Sequence, residues 1–133
     1  MDSSQVPLLL VEDEPDLRDA LGEYLGACGF AVTAAATAGE ASQAARIHPP
    51  RLILTDLSLP DLRGDTLLEE FHQEHPDCLL YVHSGDSTFF PSPRLQAIGL
   101  APDHIFSKPA DLAAMVVRLM SDLAAVSPLP QAR

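Results

Sequence analysis

Leu52-Ile53-Leu54-Thr55-Asp56 is a short, mostly apolar run that stops on a carboxylate. Apolar on both faces, it reads as a strand buried in a parallel sheet. The same design recurs outward along the chain. Upstream, Leu8-Leu9-Leu10-Val11 runs into Glu12-Asp13. Downstream, Leu79-Leu80-Tyr81-Val82 leads to Ser84, and a run from His104 to Ser107 leads to Lys108. A further strand fits Phe30 to Ala35.

Amphipathic stretches fill the intervals. Leu17, Leu21, Leu25 and Cys28 recur at helical spacing from about Pro15 to Ala27. Pro15 suits a first turn and Gly29 a stop. Thr37-Ala38-Gly39-Glu40 has the capping-box pattern and opens a helix to about Ile47, halted by Pro49-Pro50. Pro60 and Gly64 mark a loop before a helix near Asp65 to Glu74, which Pro76 ends. Gly85 to Pro93 is irregular, because Pro91 and Pro93 forbid a helix through it. The next helix is therefore short, Pro93 to Ile98, and the last fits Asp111 to Ala125. Ser127-Pro128-Leu129-Pro130 reads as a frayed end or linker.

Five strands alternating with five helices predict an α/β fold, a doubly wound open parallel sheet. Right-handed crossovers favour the strand order 2-1-3-4-5, with a crevice at the carboxyl ends of strands 1 and 3. A length of 133 residues suits one core.

Composition narrows the functions. The apolar fraction of 47% is that of a globular protein, and no apolar run is long enough to span a bilayer. The start lacks the marks of a secretory signal, so a cytoplasmic protein is expected, with no membrane partner. A formal net charge of -11 without any basic run argues against nucleic acid binding by this domain. Cys28 and Cys78 form no zinc-spaced cluster and are expected to be reduced, buried and inert. His72 and His75 are expected to be solvated surface residues.

The strand ends carry the chemistry. A parallel sheet brings Glu12, Asp13, Asp56, Ser84 and Lys108 to one edge. Two unit charges about 4 Å apart repel by roughly 4 kcal/mol at an effective dielectric near 20. Three gathered carboxylates therefore need compensation. Lys108 supplies part of it, and a hard divalent cation such as Mg2+ would supply the rest. A carboxylate can also attack phosphorus to give an acyl phosphate, with the metal and the amine stabilising the transferring charge.

Set out this way, the chain resembles the receiver domain of two-component response regulators, a flavodoxin-like fold. The resemblance rests on Val11-Glu12-Asp13-Glu14, on Asp56-Leu57-Ser58-Leu59-Pro60 with Gly64 eight residues after Asp56, on Ser84, and on Lys108-Pro109. It covers about residues 6 to 126, which implies a receiver domain over 1–126 and a tail or linker over 127–133. By that resemblance Asp56 is the phosphoacceptor, and Asp13 and Asp56 ligate Mg2+, with Glu12 acting directly or through water. The Ser58 backbone carbonyl would be another metal ligand, Ser84 would hydrogen-bond a phosphoryl oxygen, and Lys108 would pair with the phosphoryl group. The Lys108-Pro109 bond is expected to be cis. The implied partners are a histidine kinase or histidine phosphotransfer protein, docking near Pro15, Leu17 and Arg18, and a downstream protein target. Phosphoryl transfer and its hydrolysis would be self-directed, so no turnover enzyme is expected.

Within the domain, the chain departs from the family pattern at two places. Receivers commonly carry Tyr or Phe three residues before the lysine, where this chain has Ile105. Either the aromatic switch is missing, or the strand register differs; Phe106 should face the other way. Phe89 and Phe90, in the irregular stretch, either pack under the loop or offer an apolar contact to a partner. A pseudo-receiver serving as a constitutive protein-binding scaffold is the rival reading. A dehalogenase-type phosphatase is disfavoured, because Ser58 stands where a second acid is needed two residues after Asp56.

Overall fold

The computed structural model of the chain describes residues 5–126. The expected tail over 127–133 lies outside the described residues. Strands β1 (Val6–Val11), β2 (Phe30–Ala35), β3 (Leu52–Asp56), β4 (Leu79–Ser84) and β5 (Ile105–Ser107) form one sheet. All pairs are parallel, in the order β2-β1-β3-β4-β5. Helices α1 (Pro15–Ala27), α2 (Ala38–Ile47), α3 (Gly64–Glu74), α4 (Pro93–Ala97) and α5 (Leu112–Val126) fill the crossovers.

Alternation along the strands sorts the core into two layers. Leu9, Val11, Ile53, Leu80 and Val82 face α2, α3 and α4, where Ala41, Ala45, Leu67, Leu68 and Leu95 meet them. Leu8, Leu10, Leu52, Leu54 and Tyr81 face α1 and α5, against Leu21, Leu25, Met115, Leu119 and Leu123. β3, central in the sheet, is buried at every residue, as its two-faced apolar pattern requires.

The caps are chemical. Thr37 Oγ1 accepts from the Glu40 amide at 3.1 Å, and the Glu40 carboxylate accepts from the Ala36 N–H at 2.9 Å, one residue ahead of the cap. Gly29 leaves α1 at φ 105°, a conformation that excludes most side chains.

Several local expectations are revised. β1 starts at Val6, and β4 runs on through His83 and Ser84, because ladder pairing with β3 and β5 continues past its apolar run. His104 lies not in β5 but in a single 3-10 turn, Pro102–His104, where its Nδ1 lies 2.9 Å from the Leu80 carbonyl and its Nε2 3.2 Å from Asp122. Asp122 also accepts from the Tyr81 hydroxyl at 2.7 Å, tying α5 to β4. Ile105 packs into the α2-α3-α4 layer and Phe106 into the opposite one, stacked with Tyr81 at 6.0 Å between centroids. With Ser84 paired to Ser107 in regular register, the strand is not shifted: no aromatic stands at the Ile105 position. The two phenylalanines part company. Phe89 packs on the core, whereas Phe90 is 67% exposed.

Cys28 is only half-buried, because it caps the open end of α1. Cys78 is buried as expected, and both cysteines are free. His72 and His75 are partly buried rather than fully solvated, and the His75 ring packs on Phe71 at 4.5 Å. Burial pushes the Cys78 thiol up to about 12. The thiolate is the reactive form. Iodoacetamide at pH 8 is therefore expected to leave Cys78 unmodified in the folded protein and to alkylate it in urea, as read by peptide mass. Rapid native labelling of Cys78 would contradict its burial.

Candidate functional site

Four strands deliver side chains to one edge. Glu12 follows β1 directly and extends its ladder, donating its amide to the Ala35 carbonyl at 2.9 Å. Asp56 is the last residue of β3 and Ser84 the last of β4. Lys108 follows β5, and its amide donates to the Ser84 carbonyl at 2.8 Å. The Lys108-Pro109 bond is cis, as expected. The Lys108 ammonium donates to Asp56 Oδ2 at 3.0 Å and to Glu12 Oε1 at 3.2 Å. Asp13 completes the group: one carboxylate oxygen from each of Glu12, Asp13 and Asp56 lies within 4.8 Å of the others. Glu12 and Asp56 are buried, and Asp13 is exposed at the mouth.

The loops that hold these groups are pinned. Arg18, on α1, donates to the Glu12 carbonyl at 2.9 Å, fixing the turn that carries Glu12 and Asp13. The Ser58 amide donates to Asp56 Oδ1 at 3.3 Å. Gly64 donates to the Leu57 carbonyl at 2.8 Å, and its Cα lies so close to the Asp56 backbone that no Cβ fits. Asp61 reaches from the same loop to the first turn of α2, accepting from the Ala38 and Gly39 amides at 2.9 Å each. Those two donors hold its carboxyl below the usual range. Ser84 Oγ is buried and accepts from the Asp86 amide at 3.0 Å. Its hydroxyl hydrogen remains available to another acceptor.

The electrostatics favour an added cation. Burial pushes the Glu12 carboxyl up, and the neighbouring Asp56 charge adds to this. Burial opposes the charge on Lys108, but the two carboxylates outweigh it and hold the ammonium above its ordinary value. One ammonium facing three carboxylates leaves the crevice net negative. The all-oxygen donor set suits a hard divalent cation of the Mg2+ type.

Every residue expected at the site lies at this edge. The sequence reading missed three supports. Arg18 was read for docking, although its long side chain back-bonds the loop. Asp61 looked like an ordinary loop acid. His83 escaped because β4 was ended too early; period two from Tyr81 would have turned it inward. His83 is 3% exposed, and neither ring nitrogen has a hydrogen-bond partner among the described residues. No helix among the described residues is long and apolar enough to cross a membrane.

Comparison with known proteins agrees with this geometry. The family model described as "Response regulator receiver domain" matches residues 8–120. The probable transcriptional regulatory protein TcrX of Mycobacterium tuberculosis is 29% identical over 119 residues, 89% of this chain and 50% of that protein. The chain thus spans about half the length of the curated relatives it matches. Among solved structures, a CheY-like response regulator receiver domain protein from Methanospirillum hungatei superposes with a TM-score of 0.79 at 26% identity, covering 93% of this chain and 98% of that one. The non-phosphorylated HemR receiver domain from Leptospira biflexa gives 0.75 at 27% identity, covering 97% and 99%. The match runs from the core of β1 into α5 and takes in each strand end that supplies the crevice, so this chain belongs to the response regulator receiver domain family.

Proposed function

We propose that this receiver domain accepts a phosphoryl group on Asp56 from a phosphohistidine donor, either a histidine kinase or a histidine phosphotransfer protein. The observation that carries the reading is the ammonium of Lys108 lying 3.0 Å from Asp56 Oδ2 and 3.2 Å from Glu12 Oε1, beside Asp13. An Asp56 carboxylate oxygen forms the new O–P bond while the P–N bond to the donor imidazole breaks. The leaving nitrogen keeps the electron pair and takes up a proton. Glu12, Asp13, Asp56 and the Ser58 backbone carbonyl would hold Mg2+, which supplies positive charge to the phosphoryl oxygens when bound. Lys108 pairs with the same oxygens, exchanging one anionic partner for another.

The product adds charge to a crevice at the sheet edge where β4 ends on the Ser84 hydroxyl. Ser84 turns its free hydrogen toward the phosphoryl group, and the loop from Gly85, tied to Ser84 through the Asp86 amide, follows. With Ile105 where the family commonly carries an aromatic, the signal passes through this loop and the backbone of β5. The changed surface binds a downstream protein. Pro15, Leu17 and Arg18 on α1 receive the donor. The domain works in the cytoplasm as a binding module that dephosphorylates itself, and its acidity leaves nucleic acid to other partners.

Incubation with acetyl phosphate and Mg2+, followed by intact-mass measurement, tests this. The parent is expected to gain the mass of one phosphoryl group and Asp56→Asn none. A folded parent that gains nothing at saturating Mg2+ would favour the constitutive scaffold, the reading to which the absent aromatic at Ile105 points.

A further inference from the structure

A cleft of about 420 Å3 opens between α1 and α5 on the sheet face opposite α3. Leu17, Ala20 and Leu21 form one wall and Leu112 the other, with the His83 ring and the Lys108 stem at its floor. The lining is mostly hydrocarbon. His83 is the exception, a buried imidazole in which neither nitrogen is paired among the described residues. A buried polar group without a partner is destabilising, so such groups are rare in folded proteins.

We propose that this cleft is a binding site for a small neutral molecule of one or two aromatic rings carrying a hydroxyl, which hydrogen-bonds the His83 imidazole. The size lies within the range of small-molecule sites, and an apolar wall with one polar group at its floor is their usual chemistry. Neither ring nitrogen has a partner among the described residues, and in a neutral imidazole one of them donates and the other accepts. A hydroxyl can both donate and accept, and it therefore satisfies either tautomer. A charged ligand is disfavoured. Lys108 beside the ring repels an ammonium, and the Glu12 and Asp56 carboxylates that hold Lys108 repel an anion. Both ring nitrogens are shielded in the free protein, so the proposal requires the His83 side chain to turn toward the occupant. The site does not depend on Asp56 being phosphorylated, but its occupant touches the lysine that faces Asp56.

Phenol and toluene differ by the hydroxyl alone and serve as probes. Each is titrated into the full 133-residue chain, followed through the methyl resonances of Leu17, Leu21 and Leu112 in two-dimensional NMR spectra. Phenol is expected to saturate these shifts with an affinity about fivefold above that of toluene, the factor one net hydrogen bond supplies. In His83→Leu the two probes are expected to bind alike. Ala20→Phe, on the exposed wall, leaves His83 in place, fills the cleft and is expected to abolish both responses. Equal affinities in the parent, an unchanged phenol preference in His83→Leu, or no saturable shift of the cleft methyls would overturn the proposal.

Discussion

Gly64→Ala is expected to destabilise the domain by about 3 kcal/mol or more, far beyond the usual effect of adding a methyl group. The added Cβ would overlap the Asp56 carbonyl oxygen and would lie 3.0 Å from both the Asp56 carbonyl carbon and Leu57 Cα. All three are backbone atoms, so no rotamer change makes room. Relief requires the start of α3 to move off the end of β3, which also breaks the Gly64 N–H bond to Leu57. Asp56 would shift with it, so phosphoryl acceptance should fall together with stability. Gly22→Ala is the control. It lies in the interior of α1 with nothing within 4 Å of the new Cβ. There helix propensity alone applies, and a gain of up to about 1 kcal/mol is expected. Urea denaturation of both variants reads the contrast. A Gly64→Ala protein as stable as its parent would refute the close approach.

Lys108→Met is expected to cost about 3 kcal/mol in metal-free buffer near pH 7.5, and most of that loss should return with saturating Mg2+. The substitution removes the ammonium that, alone among the described residues, is paired with the two buried carboxylates, and breaking such a pair leaves charge uncompensated in a poorly solvated place. The pH dependence has a defined sign. The Glu12 carboxyl already sits above its ordinary value, through burial first and Asp56 second, and it rises further without Lys108. A folded-state carboxyl above its unfolded value contributes stability below the unfolded pKa, and that contribution disappears as pH rises through the folded one. The gap between variant and parent should therefore be small near pH 5 and widen toward pH 8. Denaturation midpoints at the two pH values, with and without Mg2+, measure it. A gap that is constant with pH and indifferent to Mg2+ would show that the crevice is well solvated.

Most of the architecture was legible because the central strands carry apolar runs on both faces and each helix is bounded by a proline, a glycine or a cap. Pro15, Thr37 and Gly29 mark boundaries that the structure reproduces to the residue. The strand ends were harder. Asp56 and Ser84 are polar, and hydropathy stops before them, while ladder hydrogen bonds continue through both. His104 read as the start of β5, yet the Leu80 carbonyl and Asp122 hold it in the preceding turn. Such long-range partners leave no local trace. The gathering of Glu12, Asp13, Asp56, Ser84 and Lys108 followed from topology alone, whereas the roles of Asp61, Arg18 and His83 depend on side-chain direction and reach. Phe89 and Phe90 show the same limit. Two identical neighbours differ only in which way the loop turns them.

The bridge from Asp61 to α2 gives the phosphoacceptor loop a remote reporter. The Ala38 and Gly39 amides lack helical acceptors, and each bonds an Asp61 carboxylate oxygen instead. Their rate of deuterium uptake is therefore set by how often the segment after Asp56 lifts away, and the exchange of two backbone protons on one helix times the breathing of a loop more than twenty residues along the chain.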